Sequence, residues 1–468
     1  MNTRFLFTRI LISATLILLL GVGLGFAQQA EESPNEIEGC SGNMANPGVV
    51  GATISGGGAD SSPNVVYDHY GTIGGGQNNY AGNQTSSLSD GKFATVSGGE
   101  SNQANGVGAT VGGGLGNLAT KDEATIGGGY HNTASGNLAT VGGGQTNQAS
   151  AVYATVGGGL SNKTSATAST IGGGQLNQTS GMFATIGGGY GNSASNRYAT
   201  VAGGQSNQAS GLYAISGGGT GNQAKGYAST IGGGSNNIAS GQTATVPGGY
   251  YNRAEGRSSF AAGQRAYAGH DGAFVWADSS MDKGYFESEM ANQFAVRATG
   301  GVRFVLGIDS TTGDPTWTCS AADGGSWSCS SDRALKENLV LAEPQQALEQ
   351  LAQVPVYYWN AKGGGSRHIG PMAQDFAAAF AVGEDNTSLA TIDLDGAALA
   401  AIQGLYAENQ DLKAQVEHLE ARLTALEQAA GAAQSPQSDR SNLWLLLVGL
   451  GLAGAVVWRR SRTRGGQP

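Results

Sequence analysis

Asparagine returns every fifteen residues at Asn102, Asn117, Asn132, Asn147, Asn162, Asn177, Asn192, Asn207, Asn222, Asn237 and Asn252. Threonine keeps the same period from Thr95 to Thr245, broken only by Ile215, and Val or Ile follows it in every unit except at Ser216. The unit reads Ala-Thr-Val-Gly-Gly-Gly-x-x-Asn-x-Ala-Ser-Gly-x-x. Fifteen residues are too few for a helical hairpin repeat, and each glycine would cost a helix about 1 kcal/mol against alanine. They suit one coil of a parallel β-solenoid, in which a short strand meets a turn that needs φ > 0. The composition agrees. Glycine fills 80 of 468 positions while charged residues make up 12%, and with 10 prolines and no Gly-X-Y period collagen is excluded.

Within Ala-Thr-Val the alternation sends Ala and Val to one face and Thr to the other. Coils stacked about 4.8 Å apart would build an aliphatic ladder, a threonine ladder and an asparagine ladder. Asparagine tolerates left-handed turns, and its amide can bond from coil to coil. The apolar face of one coil is only two small residues wide, so neighbouring chains are expected to complete the core. Ile73 to Val96 spans 23 residues rather than 15, an eight-residue insertion ahead of the regular array.

Both ends of the chain carry apolar segments. Arg4 and Arg9 precede the stretch Ile10–Ala27, and Gly25 and Ala27 stand at −3 and −1 of a cleavage site, the pattern of an export signal; an uncleaved anchor is the alternative. Leu443 to Trp458 is followed by Arg459, Arg460, Arg462 and Arg464, which predicts a C-terminal membrane-spanning helix with a cytoplasmic tail. The fibre would then lie outside the cell, attached to the membrane through that helix. The net charge is −10, and nothing electrostatic suggests nucleic acid as a partner. Calcium-binding rolls need an aspartate in each turn, whereas between Thr95 and Asn252 there is only Asp122; neither a metal nor a cofactor is expected.

The repeat from about Ala52 to Ala266 resembles the head of trimeric autotransporter adhesins of the YadA-like kind, whose short repeats form a left-handed β-roll shared by three chains. It departs from that family in its period and its glycine triplets. Further on, Ser331-Asp332-Arg333-Ala334-Leu335-Lys336-Glu337-Asn338, Pro355-Val356-Tyr357-Tyr358-Trp359 and His368-Ile369-Gly370-Pro371-Met372-Ala373-Gln374-Asp375-Phe376 resemble the endosialidase-type C-terminal intramolecular chaperone, a self-cleaving domain of trimeric fibres. The resemblance implies a homotrimer, with Ser331 as nucleophile and Lys336 as general base, Asp332, Gln374 and Asp375 belonging to the supporting motif. Pro371 stands where the family would have an aliphatic residue.

The chemistry can be followed from the residues as well. A serine hydroxyl needs an adjacent base, and lysine serves as one only where desolvation or a neighbouring cation favours its neutral form. A five-residue separation at the start of a helix brings both groups within reach. The plainer reading is that Ser331 or Asp332 caps that helix. The expected cut falls between Ser330 and Ser331, since Oγ reaches the preceding carbonyl through a five-membered ring; cleavage of 331–332 stays open if another chain's serine attacks.

Before this motif, Cys319 and Cys329 sit in echoing Trp317-Thr-Cys319-Ser and Trp327-Ser-Cys329-Ser stretches. A local bridge is favoured in an oxidising exterior, with free thiols or bridges between chains as alternatives. After it, Ile402, Asn409, Val416 and Leu423 at a positions and Leu405, Leu412, Leu419 and Leu426 at d make four heptads, and predict a coiled coil.

The expected fold class is therefore mainly β: a Gly-rich parallel β-solenoid or β-roll with 15-residue coils, then a small α+β chaperone domain, a trimeric coiled coil and a C-terminal transmembrane helix. The expected divisions are signal peptide 1–27, N-terminal segment 28–51, head 52–266, neck 267–330, chaperone 331–401, coiled coil 402–428, linker 429–442, transmembrane helix 443–458 and basic tail 459–468. The function expected is an exported, adhesin-like trimeric fibre whose chaperone assembles it and then cuts its own chain once, with a surface or host ligand for the head. An ice- or surface-binding solenoid presenting the threonine row, and a phage-fibre module without cleavage, are the competing readings. A protease acting on other proteins is disfavoured, because no substrate cleft motif accompanies the Ser-Lys pair.

Overall fold

The computed structural model describes residues 33–280, 283–321, 326–383 and 385–432. The chain divides into two compact units, and the division falls between Ser330 and Ser331.

The first unit is a parallel β-solenoid of two facing sheets, one of 17 strands and one of 16. The coil beginning at Ala109 shows how the sequence makes it. Thr110–Val111 is a strand of the first sheet, pairing in parallel with Thr95–Val96 before it and Thr125–Ile126 after it. Gly112, Gly113 and Gly114 turn the corner. Gly114 has φ +90°, and a Cβ there would lie 2.1 Å from the Gly129 carbonyl oxygen of the next coil. Only glycine allows that conformation and that approach together. The chain then enters Leu118–Ala119, a strand of the second sheet, in register with Gln103–Ala104 and Thr133–Ala134.

The second sheet corrects the expectation of a thin core that needs neighbouring chains. Ala109 and Val111 point inward from one side, Asn117 and Ala119 from the other, and all four are fully buried within the single chain. Each coil thus closes its own core of small aliphatic side chains and one asparagine. The residues after each asparagine form a strand too short to alternate visibly, which is why the sequence pattern alone does not show it.

The asparagine ladder does bond coil to coil. The Asn117 backbone N–H donates to Asn102 Oδ1 at 3.0 Å, and Asn117 Nδ2 donates to the Gly113 and Gly129 carbonyls at 2.8 Å each. A buried amide is affordable because both its ends are satisfied. At the opposite corner Phe183, Tyr198 and Tyr213 adopt φ near +60° and stack at 5.2 and 5.0 Å between ring centroids. Their backbone N–H groups reach back to the preceding coil, as Tyr198 does to Met182 at 3.0 Å.

The two sheets run from Glu36 to Arg297, beyond the periodic stretch at both ends. Phe274–Ala277 and Phe294–Arg297, within the stretch expected as a neck, continue the first sheet. Then Val302–Ile308, Pro315–Ala321 and Trp327–Cys329 form an antiparallel sheet, closed by a Cys319–Cys329 disulfide between facing residues.

Among its described residues the second unit contains a 3-10 turn, Arg333–Leu335, a two-stranded antiparallel sheet of Tyr357–Asn360 and Arg367–Gly370, and three helices. These are α1, Pro344–Leu351, α2, Ala373–Phe380, and α3, Thr391–Ala432. Helix α1 packs on α3 where Gly404 allows it; a Cβ at Gly404 would lie 2.3 Å from the Pro344 carbonyl oxygen. Ala347, Val354, Phe376, Ala400 and Ala401 form the small core.

Two parts of the expected fold class are corrected. No helix among the described residues is long and apolar enough to cross a membrane. The segment from Leu443 to Trp458, expected as a transmembrane helix, lies outside the described residues, as does the proposed export signal up to Ala27. The heptads between Ile402 and Leu426 occupy one continuous helix that begins eleven residues earlier, at Thr391. Their apolar side chains stand exposed, from 46% at Val416 to 65% at Leu426. Among the described residues no helix covers that stripe.

Candidate active site

Ser331 and Lys336 are brought together by a single tight turn rather than by the expected helix. Asp332 is extended and its carboxylate accepts from the Ala334 backbone N–H at 2.9 Å, capping the 3-10 turn Arg333–Leu335. Serine and aspartate favour such caps because their oxygens satisfy an otherwise orphaned donor. Lys336 then leaves the turn in extended conformation, its own N–H bonded to the Arg333 carbonyl. This reversal carries the lysine side chain back over the turn. Lys336 Nζ donates to Ser331 Oγ at 2.6 Å.

The pair lines a cavity of about 440 Å³ with Arg333, Leu339, Val340 and Leu341. Ser331, Arg333 and Lys336 are all exposed, and Val340 and Leu341 retain more than nine-tenths of their surface. The three apolar residues follow Lys336 in an extended stretch without regular structure. Sequence reasoning passed over them; the signal available was an apolar Leu-Val-Leu run with no helical or strand partner nearby. Arg333 was likewise read only as part of the motif, yet it adds a second cation beside Lys336.

Gln374 and Asp375 do not join the pair. They stand in the first turn of α2, and among the described residues no hydrogen bond links either to Ser331 or Lys336. Phe376, the next residue, is the buried anchor of that helix and stacks on Phe380. Asp332 acts through the backbone, holding the turn, and touches neither reacting group.

On the other side of the junction, Ser330 is tied into the sheet of the first unit. Its N–H donates to the Thr318 carbonyl at 2.8 Å, and its Oγ accepts from the Thr318 N–H at 3.0 Å. The neighbouring Cys319–Cys329 disulfide holds those two strands together.

Residues 331–382 match the family described as chaperone of endosialidase. The match begins at the serine of the pair and at the first residue of the second unit. No curated protein matches the chain. The chaperone module thus follows a β-solenoid fibre, and the likeness of that solenoid to YadA-like heads is not carried by any of these comparisons. Among the described residues no group of three or more His, Cys, Asp or Glu side chains is arranged to hold a metal ion.

Proposed function

We propose that the chain is an exported fibre whose C-terminal module assembles three copies and then severs itself at the Ser330–Ser331 bond. The observation that carries this reading is the 2.6 Å contact between Lys336 Nζ and Ser331 Oγ, at the residue where the chaperone match starts. In the cut, neutral Lys336 takes the Ser331 hydroxyl proton as Oγ attacks the Ser330 carbonyl carbon. The C–N bond breaks, the serine nitrogen leaves protonated as the new amino terminus, and Ser330 is held as an ester on Oγ. Water then hydrolyses that ester and frees the Ser330 carboxylate.

The Thr318 hydrogen bonds hold Ser330 steady, so its carbonyl does not swing away during attack. Lys336 is exposed in the single chain. Packing of further copies against Leu339, Val340 and Leu341 would exclude water from the cavity and favour the neutral amine. Cleavage would then follow correct assembly. The exposed apolar stripe of α3 from Ile402 to Leu426 supports association through the same module. The role of the head as an adhesin for a surface or host ligand rests on its repeat alone.

The test is the full chain expressed with Ser331→Ala or Lys336→Ala, followed by intact mass spectrometry and light scattering. The parent should yield two fragments meeting at 330/331, and each variant a single uncut chain that still forms trimers. Cleavage of Ser331→Ala at the same junction would assign the work to another protease. A stable monomer of the uncut variants would overturn the assembly role.

A further inference from the structure

The eight-residue insertion builds a cleft on the outer side of the second sheet. Tyr80 pairs with Gln103 in the next coil, and Ala81 pairs with Val66 before it and Ala104 after it. Gly82 therefore stands in one column with Tyr67 and Asn105. Gly82 is buried with φ +93°, and a Cβ there would lie 2.6 Å from the Asp68 backbone nitrogen. No side chain can fill the gap between Tyr67 and Asn105 from that position. The insertion follows directly, anchored where the Asn83 N–H donates to Asp68 Oδ2 at 2.7 Å. What remains is a cavity of about 300 Å³ lined by Tyr67, Tyr80, Gln84, Gln103 and Asn105, together with Gly82 and Asn83.

That lining offers rings, amides and a phenol, and nothing else. Tyr67 and Tyr80 stack with their centroids 5.8 Å apart. Gln84 Nε2 donates to the Tyr67 hydroxyl at 3.1 Å, which leaves the hydroxyl hydrogen free to donate. Burial, and after it the neighbouring Tyr80, push the Tyr67 hydroxyl above its ordinary range, so it stays protonated. Among the described residues the side-chain amides of Gln103 and Asn105 have no hydrogen-bond partner. Each presents both a donor and an acceptor. No lysine, arginine, aspartate or glutamate lines the cavity, and no aliphatic side chain does.

We propose that this cleft binds a neutral saccharide. A sugar ring presents an apolar C–H face that suits an aromatic ring, and hydroxyls that donate and accept as amides and a phenol require. With no cation in the lining, a sialylated or sulfated chain gains no ion pair. With no aliphatic wall, an apolar peptide side chain gains little burial. The volume lies at the small end of ligand sites, so the cleft would hold a sugar unit or two and leave the rest of the chain in solvent. The proposal rests on the reading of the head as the part that meets a surface ligand, and gives that ligand a chemical class.

The experiment exposes the full chain to an array of neutral hexose and N-acetylhexosamine oligosaccharides with sialylated and sulfated ones beside them. The neutral oligosaccharide giving the strongest signal is then titrated into the chain by calorimetry. Neutral chains should bind and charged ones should not. Gln103→Leu should weaken binding about tenfold, through loss of the amide's hydrogen bonds. The fold should tolerate it, since Leu118 occupies the same column one coil on. Gln84→Ala, an exposed change on the insertion, should weaken binding as well, whereas Gln148→Leu, in the same column away from the cleft, should bind as the parent does. Absence of neutral saccharide binding, binding confined to charged chains, or a Gln103→Leu variant that binds as tightly as the parent would overturn the proposal. Saccharide binding by a fibre that does not attach to cells displaying that saccharide would support the cleft and overturn the adhesin role alone, so the two readings fail separately.

Discussion

Replacing Asn162 by alanine should break the solenoid locally, and the cost can be worked from its bonds. Asn162 is fully buried. Its Oδ1 accepts the Asn177 N–H at 3.0 Å, and its Nδ2 donates to the Gly158 carbonyl at 2.9 Å and the Gly174 carbonyl at 2.8 Å. The Gly174 oxygen keeps a second donor, the Leu160 N–H at 2.9 Å. The Asn177 N–H and the Gly158 oxygen lose the partners described here. Each buried group left unsatisfied costs about 1–3 kcal/mol, so the substitution should cost about 2–6 kcal/mol. Because each coil touches only its neighbours, the loss should concentrate there rather than spread evenly. Hydrogen exchange by mass spectrometry should show the amides of residues 155–180 exchanging first, and denaturant unfolding should begin at lower concentration. Lys163→Ala, one residue away on the exposed side, should stay within about 0.5 kcal/mol of the parent. If Asn162→Ala unfolds like Lys163→Ala, the asparagine ladder contributes nothing beyond filling space and the hydrogen-bond reasoning fails.

Other perturbations follow from the same geometry. Ser216 stands between Val201 and Ile231 in the first sheet, fully buried with an unpartnered hydroxyl; Ser216→Val should raise stability by about 1–3 kcal/mol, and an unchanged or lowered unfolding midpoint would contradict this. Reducing the Cys319–Cys329 bridge, which spans a separation of 10 residues, should cost the antiparallel sheet about 3 kcal/mol on the loop-entropy model; proteolysis between Pro315 and Ser330 should accelerate in reductant, and equal resistance would show that the strands hold without it. Asp278 is held well below the usual carboxylate range by hydrogen bonds from Ser280 and Thr299 and by Arg297. Its contribution to stability is present above the unfolded carboxylate range, near pH 4, and is lost as pH falls through the folded value. The last coils should therefore loosen in acid, and Asp278→Asn should flatten that dependence; identical acid profiles would remove Asp278 as the cause.

The repeat made the solenoid legible because a fifteen-residue period with glycine-only corners admits few other chains in space. It named the strand Thr110–Val111, the glycine turn and the asparagine ladder. It concealed the second sheet, whose strands in the regular coils are two residues long and carry at most one buried aliphatic, as at Ala119. That omission produced the mistaken inference that three chains share one core. In the second unit the resemblance to the chaperone family singled out Ser331 and Lys336, and their roles as nucleophile and base belong to the proposal.

Tertiary structure decided what linear spacing could not. A separation of five residues is compatible with a helix, where the side chains would point about 140° apart, and with a 3-10 turn ending in an extended residue, where they meet. The Asp332 cap and the extended backbone of Lys336 settle the matter in favour of contact. The cleft beside Tyr67, Tyr80 and Gln103 is likewise invisible in sequence, since it depends on how the insertion folds back over a neighbouring coil. Periodicity fixes which residues face inward along a coil, because side-chain direction alternates with the backbone. Which groups then face one another across the core, and which are left without a partner, depends on the closing of the coil in three dimensions.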